Sequence, residues 1–295
     1  MFTLFACPKP FTRPHIEVIQ RNAIRSWTLL EPRPEILLLG DDAGVPEIAH
    51  EMGIRHLPQV AKNEYGTPLI RDLFRQAENA SAHERVVYVN SDILLMDDFC
   101  QAVLRLQREL SDGVLIGRRT DLDVREPLDF APGWQERLAA LARARGHLMV
   151  LGSDYFVFRR GFYAQMPPFA LERPYFDNRL MWNARHRRYP LVDATASVLA
   201  VHQLHMLPGE ATKVYSLPES NRNYKMAGAW VRSLRPGDAT HEMLSGGTRR
   251  RLWPAWKNRM RETRDIVDPW FRGVVKRVCK LFGVDITQLR KKWRA

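Results

Sequence analysis

From Phe2 to Leu110 the chain alternates short apolar runs that stop abruptly at polar residues with longer stretches whose apolar residues recur at helical spacing. Phe2–Ala6 predicts a strand, and Ile16, Ile19, Ala23 and Ile24 within His15–Trp27 predict a helix with one core face. Glu35–Gly40 predicts a second buried strand, Pro46–Met52 a helix, and Arg55–Leu57 a third short strand. Leu69, Ile70, Leu73, Phe74 and Ala77 form the stripe of another helix, with Thr67 expected as its N-cap and Pro68 at its first position. Val86–Val89 has no helical period and fits a strand buried on both faces. Phe99–Leu110 then predicts a helix capped by Asp97. Repeated strand–helix alternation demands a parallel sheet with right-handed crossovers, so the expected class is α/β, Rossmann-like, with helices on both faces.

Beyond this region Gly113–Arg118 predicts a strand running into a charged loop, Arg119–Val124, and Trp134–Ala144 an Ala-rich helix. Val150–Phe158 carries a polar triplet, Gly152-Ser153-Asp154, into a strong strand. A helix is expected after Tyr175, closing strands at Val192–Thr195 and Val198–Val201, and a helix over Asn221–Leu234. The net charge of +12 suggests a polyanion partner until it is divided along the chain. Arg249–Ala295 holds 15 Lys and Arg against 4 Asp and Glu, leaving 30 against 29 for residues 1–248. The body is therefore nearly neutral and offers no broad field for nucleic acid. The division expected is 1–235 for the α/β domain and 236–295 for a basic helical extension, in which Trp253, Trp256, Trp270 and Trp293 lie among Lys and Arg. Val274, Val275, Val278, Leu281 and Phe282 recur there at helical spacing, a pattern that suits an anionic membrane surface or equally a stripe packed on the body. No apolar run reaches the length of a bilayer span, and the opening Met1–Cys7 is too short for a secretory signal. Cys7, Cys100 and Cys279 are odd in number and widely spread, which predicts a reducing cytoplasm, with the tail at the inner face of the membrane.

In open α/β sheets ligands collect beyond the carboxyl ends of strands. Asp41 and Asp92 stand at two such ends. Asn90 and Asp92 alternate where the strand emerges, so both point the same way, and hard oxygens at that spacing suit Mg2+ or Mn2+ holding a phosphate; polar residues also end ordinary strands. Asp154, entering an apolar strand, must be paired or line a polar cleft. Asp177 either caps its helix or acts in the chemistry, and the two roles are compatible. His202 and His205, after the last closing strand, are candidate ligands, although a histidine there is more often a core or loop residue.

The segments MFTLFACPKPF, RNAIRSW, EILLLGDDAGVPEIA, KNEYGTPLIRDLF, YVNSDILLMDDF, GSDYFVF, FDNRLMWNAR and VDATASVLAVHQLH are similar, in this order, to a group of proteins resembling the GT-A nucleotide-sugar glycosyltransferases. The resemblance covers about residues 1–206 and excludes the tail. It implies a GT-A-like fold and transfer of a hexosyl or pentosyl unit from a nucleotide-diphosphate donor to a glycan or other hydroxyl acceptor, with Mn2+ or Mg2+ as cofactor. Asp92 would match the last acid of the family's DxD motif, while Asn90 replaces the first. His202, or alternatively His205, would complete the metal site. Asp177 would be the catalytic base, although Phe176 stands where many members have Glu, and Asp154 would lie on the acceptor side. Asp41, Arg71 and Ser91, with Asn90 and Asp92, would contact the nucleotide sugar. Two alternatives remain at this stage. A sugar nucleotidyltransferase would need a glycine-rich phosphate loop, which Ala6–Pro10 does not supply, and a non-catalytic nucleotide- or glycan-binding protein would act chiefly through its basic tail.

Overall fold

The computed structural model describes residues 1–205, 210–228 and 234–251. The elements run β1 (Thr3–Ala6), α1 (Pro14–Thr28), β2 (Glu35–Leu39), α2 (Val45–Glu51), β3 (Arg55–Leu57), α3 (Ile70–Ala80), β4 (Arg85–Val89), β5 (Ile93–Leu94), α4 (Asp97–Glu109), β6 (Val114–Ile116) and β7 (Arg119–Leu122). They continue with α5 (Trp134–Arg145), β8 (His147–Leu148), β9 (Tyr155–Arg159), α6 (Phe176–His186), β10 (Leu191–Asp193), β11 (Ala200–Gln203), α7 (Glu210–Ser216), α8 (Pro218–Ala227), β12 (His241–Leu244) and β13 (Gly247–Arg250).

Nine strands form one sheet in the order β13-β12-β10-β6-β9-β4-β1-β2-β3. β1, β2, β3 and β4 pair in parallel, as do β6, β10 and β12. β9 runs antiparallel between β4 and β6, and the edge strand β13 is antiparallel to β12. This mostly parallel, helix-flanked sheet is the architecture that the strand–helix alternation and the GT-A resemblance imply. Strand side chains alternate between two apolar layers. Leu4, Val87, Val89 and Val157 pack with Trp27 of α1 and Phe99 of α4. Phe5, Val86, Tyr88 and Phe158 face the other way onto Phe74 of α3 and Leu180 of α6, and the Phe74 and Phe158 rings stack at 5.5 Å. A second sheet, in the order β5-β11-β7-β8, covers a third apolar layer that includes Leu122, Val201, and Trp134 and Leu138 from α5.

Several local expectations change. Thr67 and Pro68 do not start α3: Leu69 is its N-cap, and the preceding loop closes on the Asn63 side chain, whose Oδ1 accepts from the Tyr65 and Thr67 backbone amides. Asp97 is the first helical residue of α4 rather than its cap, and its carboxylate accepts from the Glu31 amide and Gln135 Nε2. Arg119–Leu122, read as loop, is β7, because its polar residues pair with Ala200–Gln203. The helix expected over Asn221–Leu234 begins earlier, at Pro218, and ends at Ala227 before Gly228. The extension expected to be helical from residue 236 opens with a turn at Pro236–Asp238 and the β12–β13 hairpin, which adds to the main sheet beside β10. Met243 is the buried apolar residue of β12, so its sequence carries little strand pattern. The tryptophans and the amphipathic stripe of the basic tail, and Cys279, lie outside the described residues.

Candidate active site

The chain leaves β1 toward β2 on one side and returns through β4 on the other, so a crevice opens beyond the carboxyl ends of β1 and β4. A cleft of about 460 Å3 occupies that position. Lys9 enters it after β1, Asn90 and Asp92 after β4, Arg119 and Asp121 from β7, Asp154 before β9, Asp177 from α6, and His202 and His205 from the end of β11.

Asp92 is fixed from both sides. Its carbonyl oxygen accepts from the Gln203 backbone amide and Nε2, and Gln203 is itself fully buried and held by Asn22 and the Ile19 carbonyl. Trp27 Nε1 donates to the next carbonyl, that of Ile93. On this base the Asp92 carboxylate meets two imidazoles, with Oδ2 3.0 Å from His205 Nε2 and 3.5 Å from His202 Nε2. The two histidines converge at the end of β11, His202 within the strand and His205 two residues beyond its last residue, Gln203. Asp92 Oδ1 is buried without a hydrogen-bond partner among the described residues. One ligand atom from each of Asp92, His202 and His205 lies within 4.8 Å of the other two. Two imidazoles and a carboxylate form a donor set that suits a divalent ion such as Mn2+. The orphaned carboxylate oxygen is the place where such an ion would replace a lost hydrogen bond.

The surroundings tune these groups. His202 Nδ1 lies 2.8 Å from Asp121 Oδ1, and when Nδ1–H donates there, Nε2 is left free to ligate. Burial opposes the imidazolium, but Asp92 and Asp121 outweigh it and raise His202 to about 9. Burial likewise acts against the Asp92 carboxylate, yet the two histidines and Lys9 hold it well below the usual carboxylate range. Arg119 links the two ends of the cleft, donating from Nε to Asp121 and from Nη1 to Asp154, each at 2.8 Å. Asp154 thus has the partner its burial requires. It also accepts from Asn90 Nδ2 at 2.7 Å, while Asn90 Oδ1 accepts from the Tyr88 hydroxyl at 2.6 Å. Asn90 therefore braces Asp154, and both ends of its amide are engaged within the protein.

Asp177 follows the α6 N-cap Tyr175, whose φ of 84° lies in the left-handed region, as does that of Glu172 at 57°. Two non-glycine residues held there mark the segment entering α6 as strained, a feature that clusters at functional sites. Burial, reinforced by Asp154, raises the Asp177 carboxyl to about 6 although the Asn178 amide donates to it. Gly152, at φ 79°, lies so close that a Cβ there would sit 3.4 Å from Asp177 Oδ2. Lys9 pairs with Glu172 at 3.2 Å, and Gln20 holds the Lys9 backbone through both its amide and its carbonyl. Lys9, Glu172 and Arg173 also line an adjoining hollow of about 220 Å3 with Asp42, Gly66 and Thr67.

The structure thus gathers Asn90, Asp92, Asp154, Asp177, His202 and His205 and leaves three expected residues outside. Asp41 follows β2, one strand away from the crevice, and its exposed carboxylate pairs with Lys62 at 2.6 Å. Arg71 is exposed on α3, and Ser91 is buried without lining the cleft. Lys9, Arg119, Asp121, Glu172 and Arg173 line it without having been singled out as site residues. The alternation of Arg119 and Asp121 on one side of a strand was the available signal for two of them.

No family model and no curated protein matches the chain. Among solved structures it is similar to a mannosyltransferase from Pyrobaculum calidifontis, in complex with GDP-mannose and Mn2+, at 11% identity and a TM-score of 0.46. That match covers 77% of this chain and 63% of the other, so the chain spans less than two thirds of that relative. It is also similar to residues 1–349 of S. aureus TarS in complex with UDP-GlcNAc, at 10% identity and a TM-score of 0.45, over 77% of this chain and 70% of that one.

Proposed function

We propose that the protein is a metal-dependent glycosyltransferase that moves a sugar from a nucleoside-diphosphate donor to a hydroxyl acceptor. The observation that carries this reading is the convergence of Asp92, His202 and His205 at the β1–β4 crevice, beside a raised acid at Asp177. The cleft is lined by five carboxylates, Asp92, Asp121, Asp154, Glu172 and Asp177, against Lys9, Arg119 and Arg173. Once His202 is neutral, as a ligating imidazole must be, the carboxylates outnumber these cations, and a diphosphate entering the site favours an added cation. A divalent ion held by Asp92, His202 and His205 would offset the charge that develops on a departing diphosphate. Lys9 and Arg173, shared by the cleft and the adjoining hollow, stand where phosphates and nucleoside would meet. Asp177, ionised above about pH 6, would accept the proton of an attacking hydroxyl, and the Arg119–Asp154–Asn90 bridge would keep that end of the cleft in register.

The test is a thermal-shift screen of nucleoside diphosphates and their sugars with and without Mn2+. A ligand at about 100 times its dissociation constant adds about 2.7 kcal/mol of stability. Stabilisation by one nucleotide series, requiring Mn2+ in the wild type and absent in Asp92→Asn, is the expected result. If no nucleotide shifts the melting temperature with Mn2+ present, the reading fails.

A further inference from the structure

The small sheet that carries His202 and Asp121 ends at β8, which among the described residues pairs only with β7. From β8 onward Leu148, Met149, Val150 and Leu151 form four consecutive apolar residues at the surface, with Leu148, Val150 and Leu151 exposed by 44%, 57% and 49%. Exposed apolar runs of this length are uncommon and mark contact surfaces. The third apolar layer is complete without them, being filled by Trp134, Leu138 and Ala142 from the inner face of α5. Nor is the run slack chain. A Cβ at Gly146 would lie 2.4 Å from the Ala142 carbonyl oxygen and 2.5 Å from Thr120 Cγ2, so the turn from α5 into β8 is packed tightly and fixes where the run projects.

Charge identifies the occupant. Arg143 and Arg145 at the end of α5, and His147 beginning β8, are exposed beside the run, and neither arginine has an ion pair among the described residues. Aliphatic side chains flanked by unpaired arginines match the chemistry of an anionic bilayer interface, where apolar groups enter the acyl boundary and guanidinium groups meet phosphates. We propose that the 143–151 edge docks on an anionic lipid surface. Leu151 both belongs to the run and lines the catalytic cleft, so docking turns the cleft mouth toward the bilayer. On the glycosyltransferase reading, the acceptor hydroxyl would then arrive from the lipid side; the docking itself does not depend on that reading.

The experiment is co-sedimentation of the full chain with vesicles of mixed phosphatidylglycerol and phosphatidylcholine, and of phosphatidylcholine alone. Leu148→Ser/Val150→Ser/Leu151→Ser and Arg143→Ser/Arg145→Ser are compared with the wild type, with circular dichroism confirming folding. The wild type should bind the anionic vesicles, the apolar triple variant at least tenfold more weakly. Each arginine near an anionic surface strengthens binding about fivefold, so the double variant should lose up to about 25-fold. If the wild type stays in the supernatant, or if wild type and triple variant sediment equally because contact is made elsewhere on the chain, the proposal is overturned.

Discussion

The most exacting prediction is that metal binding at Asp92, His202 and His205 is coupled to proton release from His202. The imidazole is raised from 6.5 to about 9, which corresponds to roughly 3 kcal/mol. A raised histidine contributes stability that is fully present below pH 6.5 and is lost as the pH rises through 9, so the metal-free protein should weaken over that interval. The lowered Asp92 describes the same attraction from the other side and is not added to this figure. A ligating imidazole must be neutral, and at pH 7 only about one His202 in a hundred is. Apparent Mn2+ affinity should therefore climb about tenfold per pH unit, or about 100-fold between pH 6.5 and 8.5, equivalent to about 2.7 kcal/mol. The assay is an anaerobic Mn2+ titration of chelator-stripped protein at several pH values, read by melting temperature. Metal-free stability should fall with pH while the Mn2+ increment grows; Asp92→Asn should abolish the Mn2+ increment and reduce the metal-free trend to the part that Asp121 sustains. An apparent dissociation constant that does not move over this range would refute the assignment of His202 as a ligand.

Three other outcomes follow from neighbouring groups. Asp121→Asn removes the carboxylate that orients His202 and should weaken Mn2+ binding by about 10- to 100-fold in the same titration, with the fold retained. Asp177→Asn should lower transfer by about 100- to 10,000-fold, and with Mn2+ saturating at each pH the wild-type kcat/KM should rise through about pH 6 and level off above it, as measured by release of the nucleoside diphosphate. Asp98 is raised to about 6 chiefly by burial, and its Oδ1 lacks a partner among the described residues. Its ionisation should therefore cost stability as the pH rises from about 4 to 6, by at most about 3 kcal/mol, and Asp98→Asn should flatten that part of the melting-temperature profile.

Elements that bury one clear stripe or a full apolar strand were legible in the sequence: α1, α4, β2, β3 and β4 lie within a residue or two of their expected bounds. Elements whose existence depends on a distant partner were not. β7 has three polar residues of four and forms a strand because Ala200–Gln203 lies alongside it, and β12 has one buried apolar residue to betray it. The candidate site divides in the same way. Asp92 and the two histidines could be named because each ends an apolar run, but their meeting depends on β11 pairing antiparallel with β5, which places His202 opposite Ile93, the residue after Asp92. Asp41 shares the local pattern of Asp92 but stands outside the cleft, because β2 is one strand removed from the point where the sheet order reverses. Local sequence gives the end of a strand; topology decides which ends face each other.

Topology also accounts for Asn90 at the position where the resemblance leads to an expectation of an acid. β4 and β9 run antiparallel, with Val89 opposite Tyr155, so position 90 faces the carboxylate of Asp154. A second acid at 90 would place two carboxylates within hydrogen-bond distance of each other, close to Asp92, and one would have to take up a proton. Asparagine instead donates to Asp154 from Nδ2 and accepts from Tyr88 at Oδ1, so Asp154 remains available to Arg119. Through Arg119 the bracing passes to Asp121 and from there to His202. Asn90 is thus linked to His202 through a relay in which every contact is 2.8 Å or less.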